Sequence, residues 1–288
     1  MGGSRRNVLI RGLFAMNKRL ALRILAGAMA AALLLSLCCC GSEPSYDPKT
    51  DDSLSKVTES GRLVLGFDGA FPPMGFVDDE GVTVGFDIDV AEEVCARLGV
   101  ELVTEIIDWG TKEIALNEGK VDCIWNGFSV TPARAETMCL SEDYMKNSMI
   151  LVVPGDSDIQ GTSDLTDKRV GLQAGSTAMD CIRTSELADK VFPVEFDTVT
   201  GVIRGLKKGE VDVILVDSTA AYYFLFSSEE QYYMLPDSLG EEDYAIAFRK
   251  NDVKLRDRIQ EILREMKADG TLGRISAEWF GSDITTVR

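Results

Sequence analysis

One unit of this sequence occurs twice. Ala115 to Gly127, ALNEGKVDCIWNG, matches Gly205 to Asp217, GLKKGEVDVILVD, at a constant offset of 90 residues. Leu116 aligns with Leu206, Gly119 with Gly209, Val121 with Val211, Asp122 with Asp212 and Ile124 with Ile214. Each copy reads as a helix end, a glycine turn and a buried strand, so two lobes built alike are expected. Each strand finishes in polar residues, Asn126-Gly127-Phe128-Ser129 in one copy and Asp217-Ser218-Thr219 in the other. Ligands of open α/β sheets bind beyond the carboxyl ends of the strands, so two such ends facing one another would form a cleft.

The chain around the repeat fits the same architecture. From Leu63 onward strand-like segments such as RLVLGF and VELVTEI alternate with helix-like ones such as FDIDVAEEVCARLG, which points to α/β layering with a largely parallel sheet. In that helix Val90, Val94 and Leu98 recur at i, i+4 and i+8, and Asp87 and Asp89 read as acidic residues of its first turn. The stretch DVKLRDRIQEILREMKADGTLGRISAEWFG predicts a long amphipathic helix closed by Gly270 and a shorter one after it. With 288 residues, 45% hydrophobic and 27% charged, one large domain or two moderate ones can be built.

Composition excludes several function classes. A formal charge of −17 argues against nucleic acid, whose binding rests on clustered Lys and Arg. The sequence has no histidine, which removes histidine triads, histidine general bases and imidazole zinc sites. Outside the N-terminal trio the cysteines are Cys95, Cys123, Cys139 and Cys181, without CxxC spacing; Cys123 with Cys139 is the one pair worth testing for a disulfide. No cofactor and no metal are expected.

The N-terminus reads as an export signal. Lys18, Arg19 and Arg23 precede an apolar stretch from Ile24 to Leu37, which ends in Cys38-Cys39-Cys40-Gly41. The stretch is short for a bilayer span, which needs about 20 residues, and its cysteines resemble a bacterial lipobox. Cys40, with Leu37 three residues before it and Gly41 after it, is the best lipidation site, with Cys39 as the alternative. Met16 begins a normal-looking signal and is an alternative start to Met1. Residues 1–39 are thus assigned to the signal and 40–52 to a polar, proline-containing linker. Cleavage before Cys40 removes six basic residues and no acidic one, taking −17 to −23. An acidic body held to the membrane by an acyl chain is expected.

Two further strand ends suggest what the cleft holds. After VDCIWNGFS, Thr131 reads as an N-cap and Pro132 as the first helical residue, which sets Arg134 in the first turn. A cation there opposes the helix dipole, so an anionic partner is expected. KRVGLQAGSTAMDCIRTSEL reads as a strand, the loop Ala174-Gly175-Ser176-Thr177 and a helix whose start favours a carboxylate or phosphate. With Asp217 at the third strand end, the cleft would hold an anionic group on Arg134 and the Ser176-Thr177 helix start, and a cationic group on Asp217. An α-amino acid carries both.

Gly85 to Leu98, GFDIDVAEEVCARL, closely resembles the signature of the bacterial family 3 extracellular solute-binding proteins, the amino-acid receptors of ABC importers. The resemblance runs from about Ser53 to Asp283 and includes NGFSVTPAR, QAGST, ILVDS and DGTLGRISAEWFG. It implies a two-lobed periplasmic-binding-protein-like type II fold, with lobe 1 formed by 53–150 and 239–288, and lobe 2, 151–238, inserted into it. Hinge strands would run near Met149–Val153 and Leu235–Gly240. Arg134 would clamp the ligand's α-carboxylate, with donors from Ser176 and Thr177; Asp217, the Gly127 carbonyl and the Ser129 hydroxyl would take the α-ammonium. Phe71 and Trp109 would wall the side chain, Asp68 would be its polar partner, and Asn126, Phe128 and Gln173 complete the candidate set. A polar or basic amino acid is the expected ligand, ABC permease subunits the expected partner, and a monomer the expected state.

Two other classes share the fold. An exported dehydratase or lyase would use a cleft carboxylate such as Asp68 as acid or base, but no second catalytic partner is evident. A receptor's sensor domain would be followed by a spanning segment and a signalling module, and no such segment precedes Arg288.

Overall fold

A computed structural model describes residues 46–288. The expected signal, Cys40 and the first part of the linker lie outside the described residues. From Asp47 onward the chain forms one unit organised on a nine-stranded sheet.

The strands follow in chain order. The first half contributes β1 (Arg62–Phe67), β2 (Ala70–Phe71), β3 (Gly75–Val77), β4 (Thr83–Val84), β5 (Glu101–Ile106), β6 (Cys123–Ser129) and β7 (Met138–Leu140). Then come β8 (Met145–Pro154), β9 (Arg169–Gln173), β10 (Phe192–Phe196), β11 (Val213–Asp217) and β12 (Tyr232–Arg249). The large sheet runs β10-β9-β11-β8-β12-β6-β1-β5, with β7 on β12, while β2, β3 and β4 form a small sheet of their own. The β5, β1 and β6 strands are parallel, as are β10, β9 and β11. Each triplet is the centre of a lobe.

Both β6 and β11 are buried along their whole length, and their residues alternate between two cores. Cys123 and Trp125 face the core shared with Leu65, Val94 and Ile262, whereas Ile124 and Phe128 face the one containing Leu116 and Val121. In β11, Val213 and Leu215 pack with Val170 and Leu172, and Ile214 and Val216 pack with Val202 and Phe224. This is why both segments read as unbroken apolar runs: helices cover both faces of a parallel sheet. The matched pair of sequence units is also a matched pair of turns. Gly119 (φ 74°) and Gly209 (φ 67°) turn the chain in left-handed geometry. Asp122 then accepts from the Val64 amide at the start of β1, and Asp212 accepts from the Arg169 amide at the start of β9.

Between the lobes run β8 and β12, antiparallel to one another. Their pairing is regular from Tyr244 to Gly240, and the register shifts twice between Met234 and Gly240. Ser238 lies opposite Ile150 and Gly240 opposite Met149, so the two expected hinge stretches are neighbours in one ladder.

The helix Phe86–Leu98 ends at Gly99 (φ 73°), and Val253–Ala268 and Thr271–Phe280 flank Gly270. Cys95, Cys123, Cys139 and Cys181 are all free thiols, so the Cys123–Cys139 bridge does not form. Among the described residues no helix is long and apolar enough to cross a membrane.

Candidate functional site

The carboxyl ends of β1, β6, β9 and β11 converge on one cavity containing roughly 310 Å³ of non-atom space. It is lined by Asp68, Phe71, Trp109, Asn126, Gly127, Ser129 and Arg134 from the first lobe, and by Gln173, Ser176, Thr177 and Asp217 from the second. Of the candidate residues only Phe128 stands behind this wall, fully buried under the arginine.

Arg134 is held from three sides. The Thr131 hydroxyl caps its amide, Pro132 opens the helix, and the guanidinium sits with its carbon 4.3 Å from the centre of the Phe128 ring. Its Nη1 donates to the Ser129 carbonyl at 2.7 Å and Nη2 to the Gly175 carbonyl at 3.3 Å. Three of the five guanidinium donors are left for an anion. Burial draws the pKa of Arg134 below the usual arginine value, but not enough to threaten a charge that titrates so high. Near it, Ser176 gives its hydroxyl proton to the Gln173 carbonyl and accepts from the Ala178 amide. Thr177 makes no capping bond at the helix start and is the freer donor of the two.

The acceptors gather beside it. Asp217 ends β11, and its Oδ1 accepts from Asn147 Nδ2 and from the Tyr244 hydroxyl, each at 2.7 Å. Burial, and then the charge of Glu242, raise the Asp217 carboxyl above the ordinary range. Gly127 adopts φ 56°, and a Cβ there would lie 2.6 Å from the Phe71 ring, so the position admits glycine alone. Its amide donates to Asp87 at 2.8 Å. Ser129 donates its hydroxyl to Glu242 at 2.8 Å.

The remaining wall is aromatic and polar. Phe71 and Trp109 are both nearly covered, and Trp109 packs edge-on to Phe128. Asn126 spends its side chain on backbone, accepting from the Asp68 amide and donating to the Gly75 carbonyl, and so acts as a strut under the cavity. Asp68 accepts from Gln173 Nε2 at 2.7 Å, and burial raises its carboxyl to about 6.

Four residues absent from the sequence reading complete the surroundings. Lys112, 4% exposed, donates to the Trp109 carbonyl and, across the cleft, to the Gly175 carbonyl at 2.8 Å; burial, with Arg134 adding to it, draws its ammonium down to about 7. Asn147 on β8 and Glu242 on β12 face each other in the ladder, and Tyr244 follows two residues on. Asp87 does lie in its helix's first turn, yet its carboxylate is wholly buried, accepts from the Gly127 amide and the Tyr144 hydroxyl, and is raised by burial to about 7. Among the described residues no cluster of His, Cys, Asp and Glu could hold a metal ion.

Two α/β lobes, two strands joining them and one polar cavity at the facing strand ends define a two-lobed binding protein of the periplasmic-binding-protein-like type II fold. The chain belongs to the bacterial extracellular solute-binding proteins, family 3, whose family model matches residues 63–282. It is 28% identical over 263 residues to the L-cystine-binding protein TcyJ of Escherichia coli (strain K12), covering 91% of this chain and 96% of that protein. It is 29% identical over 258 residues to the arginine-binding extracellular protein ArtP of Bacillus subtilis, covering 88% and 95%. A solved structure of an ABC uptake transporter substrate binding protein from Streptococcus pneumoniae with bound histidine superposes with a TM-score of 0.79 at 34% identity, covering 83% of this chain and 99% of that one. These relatives are binding proteins, not enzymes.

Proposed function

We propose that this protein is an extracellular receptor that takes up an amino acid with a polar or basic side chain and delivers it to the permease of an ABC importer. The observation that carries this is the company Arg134 keeps: a buried guanidinium with donors to spare, next to a buried carboxylate, Asp217, in a cavity shared by two lobes. A zwitterion satisfies both charges at once, whereas a simple anion or cation would leave one of them buried and unpaired.

In this reading Arg134 and Thr177, with Ser176 beside them, receive the α-carboxylate, and Asp217, the Gly127 carbonyl and Ser129 receive the α-ammonium. Asp68 and Gln173 meet the side chain between the Phe71 and Trp109 rings, while Asn126 and Phe128 support the wall. Residues 1–39 are a cleaved signal, Cys40 carries the lipid that anchors the protein to the outer face of the membrane, and 40–52 is the tether. Lobe 1 comprises 53–150 and 239–288, lobe 2 comprises 151–238, and the receptor works as a monomer. The cystine, arginine and histidine named for the relatives support this ligand class.

A thermal-shift screen of the twenty amino acids with cystine, ornithine and citrulline tests the binding. A ligand at 100 times its Kd adds about 2.7 kcal/mol of stability, and a screen without a stabilising amino acid would overturn the reading. For the anchor, Cys40→Ser should release the protein from membranes and abolish labelling with palmitate.

A further inference from the structure

Taking the cavity as the amino-acid site proposed above, three oxygens serve the ligand's ammonium, and each has a partner behind it. The Gly127 amide is taken by Asp87, which leaves the carbonyl of that residue's neighbourhood fixed in direction. Asp217 uses Oδ1 on Asn147 and Tyr244 and keeps Oδ2. Ser129 differs from the other two because a hydroxyl can donate as well as accept. Its one hydrogen goes to Glu242 Oε2 at 2.8 Å, so only lone pairs remain toward the cavity.

Glu242 is itself held in place. It faces Asn147 across the β8–β12 ladder, and Asn147 Nδ2 donates to Glu242 at 3.1 Å as well as to Asp217. The orientation of that amide is fixed from its other end, because Asn147 Oδ1 accepts from the Ser218 amide and the Ser218 hydroxyl, both at 3.0 Å. One asparagine thus braces two carboxylates, and one of them aims a serine.

We infer that Glu242 is a positioning residue that makes the Ser129 hydroxyl an obligate acceptor, so that the socket selects a primary ammonium over α-hydroxy and N-methyl counterparts. A primary ammonium brings three donors to three acceptors. An α-hydroxyl brings one donor and sets its own lone pairs against the socket, and an N-methyl group removes a donor and adds bulk.

Calorimetry on the mature chain tests this with L-arginine, L-lysine, L-histidine and L-glutamine, each beside its N-methyl and α-hydroxy derivative. Glu242→Gln offers an amide donor to Ser129 Oγ and turns the serine hydrogen toward the ligand. The parent amino acid should lose about tenfold or more in affinity, and the hydroxy acid less, so the ratio between them narrows. In a Ser129→Ala background the same substitution should add less than about twofold. Should Glu242→Gln fold poorly, Glu242→Asp, which withdraws the oxygen from Ser129, carries the same expectation. Unchanged affinity and ratio, or losses that multiply in the double variant, would overturn the role of Glu242 while leaving the receptor reading intact. If none of the four parents binds the wild type, the receptor reading falls and this role with it.

Discussion

Gln173 and Asp68 meet across the cleft: the amide of the second lobe donates to the carboxylate of the first at 2.7 Å. An ionised carboxylate at 7% exposure is costly unless something polar reaches it, and the glutamine supplies one bond where the carboxylate can accept several. A ligand side chain carrying N–H donors would supply more. Asp68→Asn should therefore cost a basic ligand at least about tenfold in affinity and an amide ligand less, measured by calorimetry on both. A wild-type preference for an aliphatic or acidic amino acid would remove Asp68 from the side-chain pocket.

The same carboxyl makes the unliganded protein sensitive to pH. Its folded value, about 6, lies above the model value of 3.8, so between these the folded chain binds more protons than the unfolded chain. Stability from this group accordingly falls as pH rises through that window and stays low above it. Asp68→Asn should raise the melting temperature at pH 8 and change it little at pH 4. An equal gain at both values would mean that burial of the charge is not the cause.

Arg134→Ala should weaken amino-acid binding by about 1.5–3 kcal/mol or more while leaving the fold intact, since the lost contacts are charge-assisted. Arg134→Lys should recover only part, because an ammonium lacks the planar fork. The alanine variant binding as tightly as wild type in calorimetry would exclude the arginine from ligand contact.

Closure can be tested at Gly175, whose carbonyl accepts from both Lys112 and Arg134 of the opposite lobe. A Cβ on Gly175 would stand 2.8 Å from Gly110 Cα and 2.9 Å from the Trp109 carbonyl oxygen. Backbone meets backbone there, so Gly175→Ala should hold the lobes apart and abolish the ligand-induced contraction in small-angle scattering, with affinity reduced about tenfold or more. Gly209→Ala is the matched control, equally left-handed at φ 67° but with nothing within 4 Å. If both variants contract normally, the Gly175 contact does not govern closure.

Much of the site was legible because it is locally encoded. Thr131, Pro132 and Arg134 are a cap, a helix start and a misplaced cation within four residues, and Asp217 closes a strand whose twin could be read 90 positions earlier. Asp87 was legible only in part: acid in a first helical turn is common, and nothing nearby says that its carboxylate turns inward to an amide 40 positions away. Asn147, Glu242 and Lys112 carried no mark at all. Asn147 and Glu242 are polar residues on strands, 95 positions apart, and they become partners only when β8 and β12 pair. Lys112 looks like a solvated helix residue until Gly175 closes over it.

The pairing of β8 with β12 also makes the second lobe a cassette. The chain leaves by Met149–Ile150 and comes back by Ser238–Gly240, directly opposite, so the whole inserted block is spliced in at two adjacent points. A contiguous exchange between those points would replace Gln173, Thr177 and Asp217 together and leave Asp68, Trp109 and Arg134 untouched. Half of the pocket is heritable as a single piece, so a new ligand preference can be acquired by recombination without rebuilding the carboxylate clamp.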